Sequence, residues 1–168
     1  MSGYLKLAKL TIKGLDEFEL LLSKVGNESE NIARKAIYEA AGIVANELKK
    51  ETNSLDDRNY LFYGNESNES YAITKQQKQD LLDSIGIAKF EDNYGVINTN
   101  VSFGGYGSRP TVKYPKGLPN KLLANSINSG TSFRRKNPFA RRAISRCRKL
   151  AQSKMIEVYN NELNKIKK

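Results

Sequence analysis

The chain has 168 residues, 39% of them hydrophobic, and a mean hydropathy of −0.60. That composition fits a single domain with a modest core and excludes a membrane-spanning segment, because no apolar run approaches the ~20 residues a span needs. There is no histidine and only one cysteine, Cys147, which removes Ser-His and Cys-His nucleophilic arrangements, an internal disulfide and any cysteine-cluster metal site. No catalytic residue, metal or cofactor is indicated, and an intracellular chain without a membrane partner is expected. The formal net charge of +10 is unevenly spread: residues 1–133 hold 16 basic and 16 acidic residues, whereas residues 134–168 hold 12 basic residues against Glu157 and Glu162.

Residues 3–13, GYLKLAKLTIK, alternate Leu5 and Leu7, slip phase at Ala8-Lys9 and alternate again through Leu10 and Ile12. This is the pattern of an edge or bulged strand. The same stretch lacks a continuous apolar segment and a small-residue cleavage site, so no signal peptide is expected. LDEFELLLSKV then sets Leu15, Phe18 and Leu22 at helical spacing, with Asp16, Glu17 and Glu19 near the positive end of the helix dipole. Asn27 followed by Glu30 resembles a capping box. Behind it, Ala33, Ala36, Ile37, Ala40, Ala41, Val44 and Leu48 form one stripe, which predicts a helix over 28–51 that a partner surface can approach closely.

Residues 52–80 turn polar, with one apolar clump at residues 60–63, and read as an insertion within the domain. Their two Asn-x-Ser triplets carry no glycosylation argument without a secretory route. The segment LLDSIGIAKFEDNYGVINTNVSF predicts strands over 84–90 and 95–103, joined at residues 91–94 as an antiparallel hairpin. Residues 103–120 are dense in glycine and proline and predict an extended loop. Gly104, Gly105 and Gly107 do not have the spacing of a phosphate-cradling loop, and no Lys-Ser/Thr follows. Leu122, Leu123 and Ile127 mark a short helix or strand that breaks at Gly130. Asn137-Pro138 then supplies a cap and a first-turn proline for a helix reaching about residue 164, with Phe139, Ala143, Cys147, Leu150, Ala151, Met155 and Val158 broadly on one side.

This order of elements resembles the tail-completion, or head-tail joining, family of tailed bacteriophages. Four segments carry the likeness: IKGLDEFELLL (12–22), LLDSI (81–85), INSGTS (127–132) and NPFARRAI (137–144). Within the last two, Gly130, Thr131, Pro138 and Phe139 are the structural motif. The resemblance implies an α+β subunit in which a small antiparallel sheet packs against two longer helices. It also implies a homo-oligomeric ring, of six copies in that family, at the phage neck or tail top. The partners so implied are a head-tail connector and a tail-tube or terminator protein, and the location is the virion, with the host cytoplasm during assembly.

The basic residues are Arg134, Arg135 and Lys136 before the last helix, Arg142, Arg146 and Lys149 along one of its faces, and Arg141 two turns from Arg148. Three readings compete: a solvated face with nearby carboxylates from a neighbour, a docking surface for an acidic patch on an adjacent ring, and sequence-independent contact with genome DNA in a lumen. The functions weighed are a structural tail-completion protein, a tail terminator beside it, a free-standing DNA-binding protein and an enzyme. The carboxylate pairs Asp56-Asp57, Asp80-Asp83 and Glu91-Asp92 are read as solvated acids at loops or turns, not as metal-dependent chemistry.

Overall fold

The computed structural model describes residues 27–58, 73–94, 96–132 and 134–166. The strand expected over 3–13, the helix expected within 15–25, the IKGLDEFELLL motif, the clump at residues 60–63 and the Asn-x-Ser triplets lie outside them. Among the described residues there are four helices and six short strands, an α+β architecture. In chain order they are α1 (Asn27–Asn53), β1 (Asp57–Arg58), β2 (Ile73–Thr74), α2 (Lys75–Ser84), β3 (Ile85–Ile87), β4 (Glu91–Asn93), β5 (Val96–Asn98), β6 (Val101–Phe103), α3 (Asn120–Ser129) and α4 (Phe139–Ile166).

The polar stretch expected over 52–80 is shorter than its composition suggests. α1 runs to Asn53, and residues 73–84 form β2 and α2. The reason is local: Thr74 Oγ1 accepts from the Gln77 amide and the Gln77 side chain accepts from the Thr74 amide, each at 3.1 Å. That capping box starts a helix from glutamine and lysine, both good helix formers. LLDSI is therefore a helix end, with only Ile85 entering a strand.

The hairpin is present but divided. β3 pairs with β6 and β4 with β5, and the flanking bonds, Gly104 N–H to the Ser84 carbonyl at 2.9 Å and Ala88 N–H to the Asn100 carbonyl at 2.8 Å, run antiparallel. Further out Glu91 faces Asn98, so Lys89 and Phe90 together oppose Thr99 alone, the count of a β-bulge. Glu91 and Asp92, expected in the turn, are strand residues. Asn93 pairs with Val96, and Tyr94 follows Asn93 at φ 56°. The third pair, β1 with β2, is parallel.

The chain divides into two units: residues up to Val44 with Ile87–Val101 and Arg148–Lys168, and Ala45–Gly86 with Ser102–Cys147. In the first, Ile32, Ala36 and Tyr159 form a buried cluster with Met155, Val158 and Leu163 against it. The alanines at this part of α1 allow close packing, and burial pushes the Tyr159 hydroxyl's pKa up. At the surface Glu162 accepts from both Lys35 (2.8 Å) and Lys165 (2.7 Å). Arg34 lies 5.3 Å from the Phe90 ring centroid while its guanidinium bonds Glu30, a cation–π contact combined with an i,i+4 ion pair.

The second unit has its own core. Leu48 and Leu55, Ile73 and Leu81, Ile85 and Phe103, Leu123 and Ile127, and Phe139, Ala143 and Cys147 are all buried. Phe103 and Phe139 meet with centroids 5.9 Å apart and planes tilted by 60°, a favourable edge-toward-face arrangement. Lys78 binds the Leu55 carbonyl (2.9 Å) and Asp57 (2.8 Å), joining α2 to the chain that leaves α1.

Candidate docking surface at the start of α4

The sequence between α3 and α4 is a built joint. α3 ends at Gly130, whose N–H bonds the Ser126 carbonyl and whose φ of 78° and ψ of 170° place it in a region that glycine alone holds comfortably. A Cβ there would lie 3.0 Å from Lys136 N and 3.1 Å from Arg134 O. The chain then doubles back: Thr131 N–H bonds the Arg134 carbonyl at 2.8 Å, and Asn137 N–H bonds the Ile127 carbonyl at 2.8 Å. Pro138 opens the helix, its carbonyl accepting from Arg142 N–H at 3.1 Å, and Phe139 is fully buried. The four motif residues thus set the direction in which α4 leaves α3.

On the first turns of α4, Arg142 and Arg146 both bind Glu51 of α1. Arg142 Nε donates to Glu51 Oε2 at 2.9 Å, Arg142 Nη2 donates to Asn137 Oδ1 at 2.9 Å, and Arg146 Nη1 pairs with Glu51 Oε1. The carboxylate is 5% exposed, the two arginines 40% and 62%. A buried carboxylate without partners is strongly unfavourable, and two guanidiniums holding separate oxygens satisfy it. Sequence reasoning offered Arg142 and Arg146 to an outside partner. The structure gives both a partner in the same chain, Glu51. Its trace in the sequence is position: Glu51 and Thr52 continue the Val44 and Leu48 stripe, so a carboxylate falls where an apolar residue is due.

The remaining proposed docking residues fall in different places. Arg134 is half-buried in the turn, while Arg135, Lys136 and Arg141 are exposed. Lys149 is also exposed and belongs to the other unit. Asp80, read as a solvated acid, instead accepts from Ser108 N–H (2.9 Å), from Ser108 Oγ (3.1 Å) and from Gln76 (3.1 Å), pinning the glycine-rich loop to α2. Asp57 and Asp83 likewise have partners, Lys78 and Gln79. Among the described residues no cluster of three or more Cys, Asp or Glu side chains is placed to hold a metal ion, and no helix is long and apolar enough to cross a membrane. Cys147 is buried, and that burial raises its thiol pKa. In the first unit an open groove of about 560 Å³ is lined by Lys35, Glu39, Lys154, Glu157, Glu162 and Lys165. Most of these charges pair with one another.

Comparison with family models, curated proteins and solved structures finds no match to this chain.

Proposed function

We propose that the chain is a structural virion protein: a subunit of a ring, six copies in the resembling family, at the neck or tail top of a tailed bacteriophage, completing the tail and joining it to the head. The observation that carries this reading is where the resembling motifs fall. Leu81 and Ile85 of LLDSI, Ile127 of INSGTS and Phe139 of NPFARRAI are all buried in the second unit. The Asn137–Ile127 hydrogen bond ties two of these segments directly. Motifs separated by some fifty residues of chain contribute to one core, as parts of one inherited framework would.

Exposed apolar side chains add support. Tyr94 and Val112 are fully exposed, and Val96, Tyr106 and Leu122 about half exposed. All lie on the hairpin tip, on the glycine-rich loop or at the start of α3. Exposed apolar side chains such as these are what neighbouring subunits would cover, with heterologous contacts closing into a ring.

Co-expression with the connector and tail-tube proteins of the same phage, followed by native mass spectrometry and negative-stain imaging, tests the proposal. A closed ring bound to one of those partners is expected. A chain that stays monomeric beside both of them, at any concentration reached, overturns it.

A further inference from the structure

Charge counted along the sequence places the basic excess after residue 133, but the stretch of the second unit that lacks carboxylates begins earlier, at Ser102. From residue 93 to residue 156 the chain contains no Asp or Glu, and the part of the second unit formed by Ser102–Cys147 carries ten arginines and lysines without one carboxylate. Glu51 takes two of these, Arg142 and Arg146. Six others, Arg109, Lys113, Lys116, Lys121, Lys136 and Arg141, are exposed and make no ion pair among the described residues.

We infer that this part of the chain binds the phosphate backbone of a nucleic acid without reading its sequence, an activity beyond the ring-subunit role proposed above. The cations sit on a prepared frame. Residues 107–117 form a loop closed by Gly107 N–H on the Leu118 carbonyl (2.8 Å) and by the Tyr106–Pro119 bridge, and anchored through Ser108 to Asp80. Within it Thr111 and Tyr114 exchange backbone hydrogen bonds at 2.9 and 3.0 Å, and Gly117 N–H bonds the Tyr114 carbonyl. Gly117 crosses Gly107 so closely that a Cβ on it would lie 1.8 Å from the Gly107 carbonyl oxygen. Lys113 rests over the Tyr114 ring at 5.7 Å. The backbone at Lys136 lies in the Gly130 joint, between the Thr131–Arg134 and Asn137–Ile127 hydrogen bonds. Frames of this kind reduce the ordering cost of binding.

The choice of partner follows from the charge count. Residues 1–101 carry a net charge of only −4, and several of their carboxylates already serve Arg34, Lys35, Lys78 and Arg142. By net charge a second copy is therefore a weaker match than a polyanion. The six cations belong to separate segments: the 107–117 loop, the first turn of α3, the turn into α4 and the first turn of α4. A polymer with a negative charge every ~1.7 Å of its axis can meet several separate cations at once, which a single carboxylate cannot.

Fluorescence anisotropy with a labelled mixed-sequence duplex of about 30 base pairs, with a polyglutamate of equal charge as the second probe, tests the inference. If about six phosphates are met, duplex affinity falls roughly 10³-fold between about 50 and 200 mM salt and is indifferent to shuffling the sequence. The triple variant Lys113→Gln, Lys116→Gln, Arg141→Gln is expected to lower the log–log salt slope by about three contacts' worth. Lys116→Gln alone, on the exposed loop, is expected to lower it by about one and serves if the triple variant loses its circular dichroism spectrum. Absence of duplex binding at low salt, an unchanged slope in the variants, or tighter binding to polyglutamate than to duplex overturns the inference; the last would make an acidic protein the partner. Ring assembly is scored separately, so either proposal can fail alone.

Discussion

Arg142 of α4 donates from Nε to Glu51 of α1 at 2.9 Å, across 91 positions of sequence. Each residue would be out of place by itself. A carboxylate on a buried stripe lacks solvation, and a cation in the first turn of a helix opposes the dipole by a few tenths of a kcal/mol. Together with Arg146 they offset one another.

The two sides of this contact are not equivalent. Removing Glu51 leaves two arginines that are 40% and 62% exposed and can turn to water, so Glu51→Gln should cost about 1 kcal/mol. Removing both arginines leaves a carboxylate only 5% exposed without its partners, and Arg142→Met with Arg146→Met should cost about 3 kcal/mol or more. Urea unfolding of the two variants checks the order; equal losses would mean that the carboxylate is not desolvated as described.

Gly130→Ala should be among the most damaging single changes in the joint. It combines a backbone region closed to alanine with a Cβ 3.0 Å from Lys136 N, for a loss on the order of 2 kcal/mol. Thermal melting of the variant measures it, and an unchanged midpoint would count against the joint as drawn.

Asp80→Ala removes the carboxylate that receives Ser108 N–H and Oγ. Limited trypsin digestion should then cut faster after Lys113 and Lys116, while far-ultraviolet circular dichroism stays close to wild type. Equal cutting rates would show that the backbone bonds within residues 107–117 hold the loop by themselves.

Glu162 has its pKa lowered by hydrogen bonds from Lys165 and Lys35. Because the folded value lies below the ordinary one, its contribution is fully present above the ordinary glutamate range and is lost as pH falls through the folded value. Melting temperature against pH should therefore drop on the acid side in wild type and less steeply in Glu162→Gln. Parallel curves for the two proteins would refute the linkage.

Cys147 is buried, and desolvation raises its pKa, so the nucleophilic thiolate is scarce at neutral pH. A thiol reagent such as iodoacetamide should label the native protein slowly and the urea-unfolded protein many times faster. Rapid labelling of the native chain would place the thiol at the surface.

Much of the local structure was legible because its causes are local. The alanine stripe predicts α1 to within two residues of its C-terminal end, Asn137-Pro138 predicts where α4 begins, and the glycine and proline density of residues 104–118 excludes regular structure there. The misreadings were also local in origin. α2 was obscured because its stripe of glutamine, lysine and aspartate looks like a linker unless the Thr74–Gln77 box is recognised. The turn expected at residues 91–94 gives way to strand because Glu91, Asp92 and Asn93 pair with Asn98, Ile97 and Val96.

The amino-acid order by itself determined the α+β class, the long helices at each end of the described chain and the glycine at the α3–α4 joint, since periodicity and backbone freedom act over a few residues. Only the tertiary structure decided which charges remain available. Glu51 pairs with Arg142 and Arg146 and Asp80 becomes a loop anchor, whereas Arg109, Lys113, Lys116 and Lys121 join the exposed set. Desolvation and ion pairing depend on which distant segments return to the same place, and that is a property of the folded chain, not of neighbours along it.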